Sequence, residues 1–130
     1  MYLPLLDVET RRRRLTKHFS YKEMTATNEL LPNHPDEYAF SNLMYTCRIL
    51  ESVRKKFGRP IPITSGYRSP EVNNNVGGDK NSYHLDGRAV DIDISSFSSG
   101  VVDQLESILW DYNPVELYKD LNKKIIHTAF

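Results

Sequence analysis

Two histidines and an aspartate are the residues of this sequence best suited to chemistry. His84 and Asp91 bracket the run His84-Leu85-Asp86-Gly87-Arg88-Ala89-Val90-Asp91, and His127 stands near the end of the 130-residue chain. Two imidazoles and one carboxylate suit zinc, and three protein ligands leave the fourth tetrahedral position for water. An open site of that kind is the catalytic type, because the metal lowers the pKa of bound water toward neutrality. Val90, Ile92 and Ile94 alternate with Ala89, Asp91 and Asp93, the period of a strand with one face on a core. Asp91 therefore points away from the apolar face. The odd spacing would put His84 on the opposite face of a continuous strand, and Gly87 supplies the turn that swings it back. His127 lies in a β-branched and aromatic run, Lys124 to Phe130, that reads as a terminal strand. On spacing alone the same residues also fit a metal-free reading, with His84 satisfying a turn and His127 near solvent on a terminal strand.

Linked motifs extend this pattern. Ser65-Gly66-Tyr67-Arg68-Ser69-Pro70 comes first, then Val72-Asn73, Val76-Gly77-Gly78, Ser82-Tyr83-His84 and Gly87-Arg88-Ala89-Val90-Asp91. Together they resemble the signature of the M15 zinc D-Ala-D-Ala carboxypeptidases, most closely the small phage and bacterial members. The resemblance covers roughly residues 16–130 and is densest over 64–94. It implies Zn2+ held by His84, Asp91 and His127. It also implies hydrolysis of D-alanine-containing peptidoglycan peptides by metal-activated water, trimming a terminal D-alanine or cutting a cross-link. An alternative stays open: a non-catalytic zinc-binding domain of the same fold that binds wall peptides or a partner protein. The Hedgehog signalling domain shares this fold and triad type without established peptidase function.

The resemblance also implies roles around the metal. Arg68 matches the family position that stabilises the oxyanion, and its guanidinium is a permanent charge with forked donors. Ser82 resembles the substrate-side serine, or it simply caps the turn. Asp93 shares a face with Asp91 and either orients a ligand imidazole or is solvated. Tyr67 and Tyr83 read as wall or core residues. The sequence departs from its relatives at the general base: well-known members carry Glu or Asp three residues before the final histidine, and here that residue is Lys124. Of the nearby acids Asp111, Glu116 and Asp120, only Glu116 lies on a predicted strand paired with that of His127, so Glu116 is taken as the base.

The rest of the chain supplies the frame that brings these groups together. Residues 1–17 have no convincing periodicity and read as an irregular lead-in to a single zinc peptidase-like domain over 18–130. Ser20-Tyr21-Lys22-Glu23 is a capping box opening a short helix, with Phe19 and Met24 as its hydrophobic staple. His18 and the loop residue His34 read as exposed or structural. A long helix is predicted over about 36–57, with Pro35 in its first turn and Gly58 as its stop. Its core stripe is Phe40, Leu43, Met44, Cys47, Leu50, Val53 and Phe57. Ile61–Thr64 reads as a short strand whose prolines place it at an edge or at a strand start, and the Asn- and Gly-rich residues 70–81 read as a loop. A second helix is expected over about 100–112, then a hairpin pairing Val115–Tyr118 with Ile125–Phe130. The expected fold class is α+β: a small, mostly antiparallel sheet with two main helices packed on one face, Hedgehog/D-Ala-D-Ala-peptidase-like.

Composition narrows the partners. Lys+Arg and Asp+Glu both number 17, so nothing suggests a basic nucleic-acid footprint, and Arg11–Arg14 reads as a solvated lead-in. The single cysteine, Cys47, excludes an intrachain disulfide and reads as a small core hydrophobe. No apolar stretch is long enough to insert in a membrane, and Met1–Asp7 lacks the order of a signal peptide. The expectation is cytoplasmic synthesis, with release by lysis or a virion as the route to the cell wall.

Overall fold

The computed structural model describes residues 14–130. The expectations that fall on Met1–Asp7 and on the basic run before Arg14 lie outside the described residues. In chain order the strands are β1 (Arg14–Thr16), β2 (Phe19–Ser20), β3 (Ile63–Ser65), β4 (Ala89–Asp93), β5 (Glu116–Asp120) and β6 (Ile125–Ala129). The helices are α1 (Tyr21–Met24), α2 (Glu37–Phe57), α3 (Pro70–Asn75) and α4 (Ser99–Trp110). Strands β3-β4-β6-β5 form one antiparallel sheet in that spatial order, and β1 and β2 pair separately.

The period-two pattern of β4 and β6 sets the sheet's two faces. Val90 and Ile92 on β4 and Ile126 on β6 are completely buried, and they share a core with Leu43, Leu50 and Val53 of α2 and Leu105 and Leu109 of α4. Each such side chain contributes about 1.5–3 kcal/mol by burial. Sliding β4 by one residue would expose Val90 and Ile92 and push Asp91 into hydrocarbon, so the core fixes the register. In that register Asp91 stands opposite His127, on the face away from the helices.

The helix ends follow from local chemistry. Asp36 caps α2, its carboxylate accepting from the Ala39 N–H at 2.8 Å, and Gly58 ends it at φ 74°. Pro35 thus lies one residue ahead of the cap and not in the first turn. The buried stripe of α2 centres on Ala39, Leu43, Thr46, Cys47, Leu50, Val53 and Phe57, while Phe40 and Met44 are half-buried at its margin. Ser20 caps α1 by accepting from the Glu23 N–H at 3.0 Å, with Phe19 and Met24 both buried. Ser98 caps α4 in the same way. No helix among the described residues is long and apolar enough to cross a membrane.

Three further local expectations differ from the structure. Residues 14–16 form β1, within the stretch read as irregular; three residues are too few to show a period. The loop expected over 70–81 begins with α3 instead, where Ser69 accepts from the Val72 N–H at 3.3 Å and Pro70 occupies the first turn. Burial of Val72 and Asn73 outweighs the turn propensity of the asparagines. The edge strand starts at Ile63, two residues later than expected.

Candidate metal centre

His84, Asp91 and His127 converge on the sheet face opposite the helices. One possible ligand atom from each lies within 4.8 Å of the other two. His84 Nε2 is 3.3 Å from Asp91 Oδ1, and His127 Nδ1 is 2.9 Å from the same oxygen. Ligand atoms about 2.0–2.1 Å from a tetrahedral ion sit about 3.3–3.4 Å apart, so the spacing fits one small divalent cation.

Each side chain has its own scaffold. Asp91 and His127 face each other across the β4–β6 ladder. His84 arrives from a turn that closes at Gly87, φ 75°, where a Cβ would stand 2.3 Å from the Ala39 carbonyl oxygen of α2. Only glycine combines that left-handed conformation with so close an approach. Helix α2 clamps the turn: Thr46 Oγ1 donates to the Gly87 carbonyl at 2.8 Å and Asn42 Nδ2 to that of Asp86 at 3.0 Å. The Arg68 N–H donates to the His84 carbonyl at 3.0 Å, tying the Ser65–Arg68 turn to the same place.

Hydrogen bonds also set the imidazole protons. His84 Nδ1 is 2.7 Å from the Gly66 carbonyl oxygen. A carbonyl only accepts, so Nδ1 carries hydrogen there, and Nε2, on the Asp91 side, is the nitrogen a metal would take. His127 Nε2 is 2.7 Å from Glu116 Oε1, which holds that proton and turns Nδ1 to the cluster. Burial opposes ionisation of both Asp91 and His127. Hydrogen bonds and charges from His127 and His84 win at Asp91, holding its carboxyl well below the usual range, and those from Asp91 and Glu116 raise the His127 imidazole above its own.

The cluster floors a cleft of about 700 Å³ lined by Arg68, Ser82, Glu116 and Tyr118 among others. Arg68 reaches Asp91 Oδ2 at 3.2 Å, Ser65 Oγ at 3.0 Å and Asn73 Oδ1 at 3.3 Å. Ser82 lines the cleft while its Oγ accepts from the His84 N–H at 3.1 Å, so capping and cleft positions coincide. Asp93 is turned elsewhere, accepting from the Ser95 N–H at 2.9 Å, because the strand ends there in a bend. Lys124 adopts φ 56° in the hairpin turn and borders a different depression, beside Ile94 and Phe97. The acid of the related enzymes is therefore missing in residue type, and its position does not line this cleft. His18 pairs with Glu51, and His34 with the Tyr21 hydroxyl. Tyr67 is buried in the core, and Tyr83 stacks beneath the Arg88 guanidinium.

Sequence reasoning missed Tyr118, whose ring stacks on His127 at 4.7 Å between centroids and 21° between planes. The signal was available, since Tyr118 is the hairpin partner of His127. The Gly66 carbonyl had no such signal, because it depends on a backbone contact across the fold.

The chain is similar in sequence to known peptidases. The sequence profile of a family described as Peptidase M15 matches residues 17–128. The zinc D-Ala-D-Ala carboxypeptidase of Streptomyces albus G is 39% identical over 59 residues, covering 45% of this chain and 23% of that protein. The match thus spans less than a quarter of that relative's length.

Proposed function

The chain belongs to the peptidase M15 family, and from that premise we propose that it is a zinc-dependent peptidase hydrolysing D-alanine-containing cell-wall peptides. The observation that carries this reading is the convergence of His84 Nε2, Asp91 Oδ1 and His127 Nδ1 at the floor of an open cleft. These three residues hold the ion. When bound, zinc supplies an activated water and polarises the scissile carbonyl.

The chain's own groups do the rest. The Gly66 carbonyl and the Glu116 carboxylate fix the two imidazole tautomers. Arg68 uses three of its five N–H donors on Asp91, Ser65 and Asn73, and the remaining two are a fixed positive partner for the oxyanion of the tetrahedral intermediate. The Ser82 hydroxyl hydrogen is available to a substrate carbonyl or carboxylate. Glu116 is the candidate base. Of the other acids in the cleft, Asp91 is a ligand, and Asp79 and Asp120 accept backbone N–H groups of their own turns. Glu116 Oε1 is on His127, which leaves Oε2 to accept a proton.

One observation favours a second reading, a zinc domain that binds wall peptides without cutting them. Lys124 replaces the family's acid, and Glu116 already serves His127. Digestion of purified peptidoglycan separates the two readings. The peptidase releases soluble peptides or D-alanine, and loses the activity to a chelator. Intact wall peptides in the presence of zinc-loaded protein would rule the enzyme out and leave the binding domain.

A further inference from the structure

The cleft over the metal cluster does not end there. A second depression of about 470 Å³ lies beside it, and the two share Arg68, Val76, Asp91, Lys123 and Ile125 in their walls. Arg68 and Asp91 thus stand between two lobes, each within the size range of ligand pockets. Ser82 and Tyr118 belong to the first lobe; the turn of Ala26, Thr27, Asn28 and Glu29 closes the second.

A site that trims one terminal residue needs a wall beyond the scissile bond, with an unpaired cation to receive the terminal carboxylate. Here both sides of the ligand cluster open into room for several side chains, an extended residue taking about 3.3–3.6 Å. Arg68, the cation bonded to a ligand, is already paired with Asp91, and Lys123 stands in the wall that the two lobes share, not at the end of either. Within the second lobe, Glu29 is half-buried and its carboxylate has no ion-pair partner among the described residues. It offers a negative charge in a wall that the first cleft does not share.

Resting on the peptidase reading, we propose that the Ala26–Glu29 lobe is a substrate subsite. It takes the peptide chain on the far side of the scissile bond, with Glu29 receiving an ammonium group of that segment. The substrate is then a peptide continuing on both sides of the cut, and the enzyme is an endopeptidase rather than a trimmer of chain ends.

Two synthetic peptides test this with zinc-loaded protein. One ends in a free D-Ala-D-Ala terminus; the other carries residues on both sides of the same bond, a lysine in the far segment and an amidated end. Cleavage is followed by mass spectrometry, and binding by backbone amide shifts in NMR. The two-sided peptide should be cut faster and should shift the amides of Ala26 to Glu29. Glu29→Gln should lower kcat/KM for it by roughly two- to fivefold, the range of one partly exposed ion pair. The same substitution should leave zinc content and the free-terminus peptide unchanged. Release of terminal D-alanine with shifts confined to the first lobe overturns the subsite and leaves the peptidase standing. Shifts in both lobes without cleavage support the two-lobed groove and remove the peptidase. No shift at Ala26–Glu29 with the two-sided peptide overturns the subsite, whatever is cut.

Discussion

Among the described residues two histidine–carboxylate clusters stand out, and one of them has the form of a metal site. At the start of the described chain, His18 Nδ1 meets Glu51 Oε1 at 2.6 Å, while Glu51 Oε2 takes the Thr16 hydroxyl and the His18 N–H, both at 2.6 Å. Glu51 is thereby saturated by one segment, and the pair pins β1 and β2 to α2. On the sheet, Asp91 Oδ1 faces two imidazoles from different elements, and each ring's outer nitrogen is held by another group. The lesson is that residue type and short contact distance do not make a ligand set. Convergence on one point does, together with lone pairs directed to it by an outer layer of hydrogen bonds.

The largest contrast should come from deleting an imidazole. His84→Ala is expected to abolish zinc retention after dialysis, measured by metal analysis, whereas His18→Ala should leave zinc content at the wild-type level. Next, Glu116→Gln should weaken zinc binding or activity by about 10- to 100-fold, as loss of an outer partner does. Glu51→Gln should not change either quantity. A Glu116→Gln variant with wild-type affinity and turnover would remove both roles given to that carboxylate. Gly87→Ala should cost about 1–3 kcal/mol in denaturant unfolding from its left-handed conformation alone, with more from the Cβ contact with Ala39.

The clusters should also differ in their response to pH. The His127 imidazole is raised above its unfolded value, which is about 6.5. In metal-free protein its stabilising contribution is present below that value and is lost as pH rises through the folded pKa. Zinc must displace this proton, so its affinity should increase with pH, and calorimetry in buffers of different ionisation heat should report proton release. The Glu51 carboxyl is lowered despite its burial, by hydrogen bonds from Thr16 and His18. Its contribution is present above about 4.3 and is lost as pH falls through the folded value, with or without zinc. The smallest effect expected is that of Glu51→Gln on stability, about 1 kcal/mol.

Much of this was legible in the chain. The alternation of Val90, Asp91 and Ile92 gave the strand and its polar face, Gly87 gave the turn, and Ile125–Ala129 gave the hairpin partner. These are local patterns enforced by a core. What stayed hidden depends on contacts between distant segments. The Gly66 carbonyl on His84, the shared use of Glu116 and the turning away of Asp93 leave no mark in residue spacing. The short helix α3 is a different case, because Ser69-Pro70-Glu71 is a readable helix start that the following asparagines masked.

The central claim is that one ion is gripped by these three side chains. Anomalous diffraction at the zinc edge, from crystals grown with about one equivalent of zinc, tests it without reference to activity. A single strong peak bonded to His84 Nε2, an Asp91 carboxylate oxygen and His127 Nδ1 is the expected result. A folded protein with no peak there, or with zinc held elsewhere, would contradict it.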